Sequence, residues 1–64
     1  PPRVTVVLAP GEDRACAAAR LPLYADTSVL DAPSEQYKLL NSRTTYYICR
    51  GRVCLPPSNT PEGL

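Results

Sequence analysis

Apolar side chains fall along this chain in short clusters separated by proline, glycine and acidic residues, and each cluster predicts an element. Val4-Thr5-Val6-Val7-Leu8 is β-branched without strict polar alternation, the pattern of a strand covered on both faces. It is expected to be the central strand. Ala9-Pro10-Gly11 interrupts the run, and Glu12-Asp13 then sets acids ahead of Arg14-Ala15-Cys16-Ala17-Ala18-Ala19-Arg20, where helix propensity is high. Leu21-Pro22 should end this helix, because the proline ring removes a donor and pushes its predecessor out of the helical region. Thr27-Ser28-Val29-Leu30 predicts a second strand, returning parallel to the first through a right-handed crossover. Asp31-Ala32-Pro33-Ser34-Glu35 resembles a helix start, with Tyr37, Leu39 and Leu40 as a buried stripe and Asn41-Ser42 as the stop.

The next two clusters, Thr44-Thr45-Tyr46-Tyr47-Ile48-Cys49 and Val53-Cys54-Leu55, flank Arg50-Gly51-Arg52, and the glycine supplies the positive φ a β-hairpin turn needs. Pro56-Pro57 is expected to forbid further pairing of the second strand, and Thr60-Pro61-Glu62 resembles an N-cap, a first-turn proline and an acid. The expected fold is therefore α/β: a small mixed sheet of two short parallel strands plus a C-terminal β-hairpin, with two short helices packed on it. Residues 1–64 form one accessory domain in this scheme, and 58–64 are the start of a truncated terminal helix. Val6, Val7, Leu8, Leu30, Leu40, Tyr47, Ile48 and Val53 are expected to line the core.

Size narrows the picture. With 64 residues and neither Phe nor Trp, the chain can fill one modest core and has little volume left to enclose a substrate cavity. No small-molecule ligand is expected. The absence of Met and the opening Pro1-Pro2 lead to the expectation of a domain excised from a larger protein. Seven basic against six acidic residues give a net charge of +1, so no global field favours nucleic acid or an anionic membrane. No apolar run approaches the roughly 20 residues of a membrane span. Three cysteines, an odd number, fit a reducing compartment better than a secreted disulfide scaffold, and a cytoplasmic location is expected.

Cys49 and Cys54 are the first candidates for chemistry. A two-residue turn at Arg50-Gly51 makes them diagonal neighbours, whereas a four-residue loop sets them face to face, at the spacing of a cross-strand disulfide. Packed thiols are the leading reading, a structural disulfide the second, and redox or metal work the third. A redox pair normally wants a thiolate at a helix N-terminus, and a zinc site wants four compact ligands, which a chain without histidine does not offer. Cys16, among alanines, is expected to be a small buried filler, and no metal or cofactor is expected.

Arg43, Arg50 and Arg52 beside Tyr46 and Tyr47 resemble the basic and aromatic surface that single-stranded nucleic acid uses, although adjacent tyrosines point to opposite faces of a strand. Ala9-Pro10-Gly11-Glu12 has one glycine and two following acids, so it is no phosphate loop. Glu12, Asp13, Asp26, Asp31, Glu35 and Glu62 fall in turns and helix starts, where capping explains them. Lys38, the sole lysine, is expected on an exposed helix face, and no nucleophile–base pair can be assembled.

The run Thr45-Tyr46-Tyr47-Ile48-Cys49-Arg50-Gly51-Arg52-Val53-Cys54-Leu55-Pro56-Pro57 resembles the far C-terminus of the spermatogenesis-associated protein 20 family and its bacterial relatives. Those are long proteins with a thioredoxin-like domain and a helical toroid related to sugar epimerases and six-hairpin glycosidases. Their ends typically read alanine-tyrosine-valine-cysteine, four residues, cysteine, a short gap, proline and an aspartate-proline helix start. Tyr47, Cys49, Cys54, Pro57 and Thr60-Pro61-Glu62 occupy those places. Pro2-Arg3-Val4-Thr5-Val6-Val7-Leu8 resembles the strand that opens the family's last α/β segment. The resemblance implies a non-catalytic accessory domain whose partners are the other domains of a parent chain, and it carries over no catalytic residue. Two rival readings stand beside it: a redox-active Cys49/Cys54 pair that exchanges with a thioredoxin-like domain, and single-stranded nucleic-acid binding by Arg43, Arg50, Arg52 and a tyrosine.

Overall fold

A computed structural model describes residues 2–61. In chain order it contains β1 (Arg3–Val7), α1 (Arg14–Ala19), β2 (Asp26–Leu30), β3 (Thr45–Arg50) and β4 (Val53–Cys54). The strands form one sheet in the order β2-β1-β3-β4, with β1 parallel to β2 and antiparallel to β3. The mixed sheet, the central N-terminal strand and the hairpin all match the pattern of apolar clusters. One short helix accompanies the sheet, where two were expected.

Strand alternation sorts the side chains by face. Val4 and Val6 of β1 lie on the α1 side with their antiparallel partners Ile48 and Tyr46, and these four cluster with Leu8 and Ala17. Leu21, Ala25 and Val29 pack at the margin. Tyr46 is the largest fully buried side chain, and the Arg20 guanidinium lies 6.0 Å from its ring centroid. The core therefore differs from the expected set: Val6, Val7, Leu8 and Ile48 are buried, but Leu30 and Tyr47 are half-buried and Leu40 and Val53 are exposed. Tyr46 takes the place expected for Tyr47, because it shares a face with Ile48 and Tyr47 does not.

Asp13 caps α1, its carboxylate accepting from the Ala15 N–H at 2.8 Å. The helix has six residues and turns only Ala17 into the core. Cys16, one position away and so about 100° round the helix, is exposed rather than a buried filler. An exposed ion pair, Arg14 to Asp31 at 2.6 Å, ties the helix to the end of β2.

No helix forms over residues 31–40. The groups an amphipathic helix would have paired internally are taken by β3 instead. The Tyr47 hydroxyl donates to the Lys38 carbonyl at 2.5 Å and accepts from the Lys38 N–H at 2.9 Å, and the Leu40 N–H donates to Thr45 Oγ1 at 2.7 Å. Tyr37 meets the Tyr47 ring edge-on at 5.0 Å. The segment thus crosses the sheet face opposite α1 and contributes to the complete burial of Val7 and Thr45 there. It ends in a tight turn, Arg43 N–H to Leu40 carbonyl at 3.1 Å, with Asn41 and Ser42 at φ 57° and 56°. Two consecutive left-handed residues are the mark of a type I′ turn, which serine enters at a steric cost. Ser42→Gly should therefore raise stability by about 0.5–1 kcal/mol, net of the extra freedom glycine gains in the unfolded chain. A thermal melt that moves down would refute this account of the turn.

Contrary to the expectation that the prolines end pairing of the second strand, the chain beyond β4 returns to β3. The Leu55 N–H donates to the Ile48 carbonyl, and Ser58 exchanges two backbone bonds with Tyr46, so Pro56 and Pro57 stand opposite Tyr47 alone. Two residues against one is a β-bulge, and the prolines cost no bond there because the Tyr47 N–H and carbonyl turn toward β1. Residues 58–61 therefore form a bridge and a bend, not the start of a helix. The rest of the expected helix, residues 62–64, lies outside the described residues. Asn59 pins this return, donating to the Leu40 and Thr44 carbonyls and accepting from the Asn41 side chain.

Candidate functional site: a disulfide beside an open trough

The β3–β4 register pairs Arg50 with Val53 and Cys49 with Cys54, which leaves Gly51-Arg52 as the two-residue turn. Gly51 has φ 59° and Arg52 is not among the residues with positive φ. A positive φ at the first turn position alone is the pattern of type II′, which requires glycine there. This turn places the sulfurs as the four-residue loop would have done, in a directly opposed pair, and extends the ladder by one step. The cysteines lie between two hydrogen-bonded pairs, at a position where opposed Cβ atoms come closest. They are joined as a disulfide, with Cα atoms 3.9 Å apart. Packed free thiols, the leading expectation for this pair, are thereby corrected. Cys54 is exposed and Cys49 half-buried.

The disulfide lies on the face opposite α1, beside an open trough of about 840 Å³. Its floor is polar by strand alternation: Arg3 and Thr5 of β1 lie next to their register partners Asp26 and Ser28 of β2. Tyr37 and Tyr47 line it as well, where the crossing segment 31–43 lies over the sheet. Arg3, Asp26 and Tyr37 were not expected here. The signal is the alternation Arg3-x-Thr5 against Val4-x-Val6, which marks one polar face on a strand whose β-branched run suggests cover on both.

Chemically the trough offers a guanidinium, a carboxylate, two hydroxyls and two phenol rings. Neither sulfur is a nucleophile or metal ligand while the disulfide stands, because both functions need a thiolate. Among the described residues no three His, Cys, Asp or Glu side chains are grouped to hold a metal ion. No helix among them is long and apolar enough to cross a membrane.

The basic and aromatic residues considered for nucleic acid are not brought together. Arg43 precedes β3 while Arg50 ends it and Arg52 lies in the turn, so the length of the strand, roughly 17 Å, lies between Arg43 and the hairpin arginines. Tyr46 is buried and the Tyr47 hydroxyl is tied to Lys38, so neither tyrosine of β3 offers a stacking face beside the hairpin arginines, where the exposed ring is that of Tyr24. No protein-family model, no curated protein and no solved structure matches this chain.

Proposed function

We propose that this chain is a non-catalytic accessory module that packs on a neighbouring protein domain through apolar side chains near the α1–β2 loop and the hairpin. The supporting observation is their exposure: Leu23 is fully in solvent, Tyr24 is 61% exposed and Val53 66%. These positions lie near one another. Pro2, Tyr24, Arg50 and Gly51 line a shallow depression, and Val53 is the register partner of Arg50. Covering a side chain the size of leucine or valine is worth roughly 1.5–3 kcal/mol, so three such anchors are enough to hold a domain contact. The resemblance of the hairpin to the end of a thioredoxin-like and toroid protein names the neighbour to try.

The test is a calorimetric titration of this chain with the thioredoxin-like and toroid portion of such a protein. Saturable binding is expected, with affinity falling about tenfold or more in Leu23→Ser/Tyr24→Ser, a change of about 1.4 kcal/mol or more. The doubly substituted chain should melt within a few degrees of the wild type, since exposed substitutions usually cost less than about 0.5 kcal/mol. No heat of binding at any accessible concentration would overturn the proposal.

A second reading is favoured by the disulfide itself, with Cys54 open to solvent. The Cys49–Cys54 pair would then be a redox-responsive clasp that exchanges with a thiol of the neighbouring domain. That role requires a reduction potential above about −300 mV, since more negative couples resist cellular thiols.

A further inference from the structure

The two edges of the sheet are built differently. At β2 the Asp26 N–H donates to the Pro2 carbonyl at 2.8 Å, and the Leu30 carbonyl accepts from the Leu8 N–H at 2.9 Å. These bonds assign the backbone groups of Asp26, Ser28 and Leu30 to β1, and alternation turns those of Thr27 and Val29 away from the sheet. Thr27 and Val29 therefore present two N–H and two carbonyl groups along an edge with no strand beyond it among the described residues. Little in Asp26-Thr27-Ser28-Val29-Leu30 discourages pairing: its one charge, Asp26, is at the end, it contains no lysine, proline or glycine, and it is a regular five-residue strand. At the other edge β4 has two residues, and Pro56 and Pro57, which follow after Leu55, carry no N–H to offer.

We propose that the β2 edge pairs with the β2 edge of a second copy of this chain, antiparallel about a two-fold axis at Ser28. The geometry points to this occupant because the edge is self-complementary. With Ser28 facing Ser28 of the second copy, each Thr27 opposes a Val29 and the two pairs exchange four backbone hydrogen bonds. Thr27 and Val29 lie on the α1 side of the sheet, where they become cross-strand neighbours of compatible shape, and Val29, half-buried in one copy, gains cover. On the opposite face each Asp26 meets Leu30 instead of another carboxylate. Parallel pairing would set Asp26 beside Asp26, so charge selects the antiparallel arrangement. The pairing uses backbone groups of β2 and does not rest on the docking role proposed for Leu23, Tyr24 and Val53.

The experiment is sedimentation equilibrium of this chain up to concentrations on the order of 1 mM, with amide exchange read by NMR across the same range. A monomer–dimer equilibrium is expected, together with slowing of Thr27 and Val29 exchange as concentration rises. Ser28→Glu places two like charges face to face at the axis and is expected to weaken the dimer about tenfold or more, while the exposed position leaves the monomer folded. In a Cys16→Ser background, Ser28→Cys should cross-link to itself under air oxidation faster than Thr27→Cys. A chain that stays monomeric throughout, a dimer indifferent to Ser28→Glu, or faster cross-linking at position 27 would each overturn the proposal.

Discussion

Tyr46→Ala should leave the chain unfolded at room temperature. The ring is 1% exposed, is the largest wholly buried side chain, and is the only aromatic in a core otherwise made of Val4, Val6, Leu8, Ala17 and Ile48. Removing a buried aromatic side chain costs roughly 3–5 kcal/mol once the residual cavity is counted. A single core in a domain of this size supplies about 3–5 kcal/mol of net stability, so the loss is comparable to the whole. The expected outcome is a far-UV spectrum without a cooperative melt. Tyr24→Ala is the matched control, because that ring is 61% exposed and should melt close to the wild type. A cooperative transition within a few degrees of the wild type for Tyr46→Ala would show that the burial described here is not what holds the sheet together.

Opening the Cys49–Cys54 disulfide is the second large effect. The bond closes a short loop, with a sequence separation of 5. On the chain-entropy account, removing such a cross-link frees the unfolded chain by about 2 kcal/mol. In a domain this small, each kcal/mol moves the melting temperature by about 4–8 °C, so reduction should lower it by roughly 10 °C. Cys49→Ser/Cys54→Ser without reductant should melt with the reduced wild type. Amide exchange should quicken at residues 50–54 through local opening, and the protected amides of β1 and β2, which exchange by global unfolding, should quicken in proportion to the lost stability. A melt that ignores reductant would remove the structural role. Redox titration in the same samples separates the two roles proposed for the pair: a midpoint well below about −300 mV marks a fixed staple, and a higher one marks the clasp.

How much of this could be read from residues alone varies by element. The β1 run and the hairpin were legible because β-branched clusters bounded by Pro10-Gly11 and Gly51 have one good local solution. The segment 31–40 was not, because its conformation is decided by a phenol and a hydroxyl that enter from β3. Its own pattern of Pro33, Tyr37 and Leu40 suits a short helix, and nothing local announces that the Tyr47 hydroxyl takes both backbone groups of Lys38. Tyr46 and Tyr47 are chemically identical neighbours, and only the pairing of Val6 with Tyr46 decides which one is buried. The cysteine pair depended on one residue of turn placement. Gly51 fits the second position of an Arg50-Gly51 turn as readily as the first position of Gly51-Arg52, and the two choices differ in whether the sulfurs face each other. The trough is not legible in the residues because Arg3 and Asp26 stand at the margins of their strands, where they read as punctuation.

The bulge at Pro56 and Pro57 also sets a valence. Growth of a sheet from molecule to molecule needs a reactive border on each side of the unit, as a polymer needs bifunctional monomers. Among the described residues the β4 side turns only the backbone groups of Cys54 outward before the two imino acids, so that border is much shorter than the one at β2. Pairing at β2 uses the longer border, which leaves little regular backbone among the described residues for strand-by-strand growth.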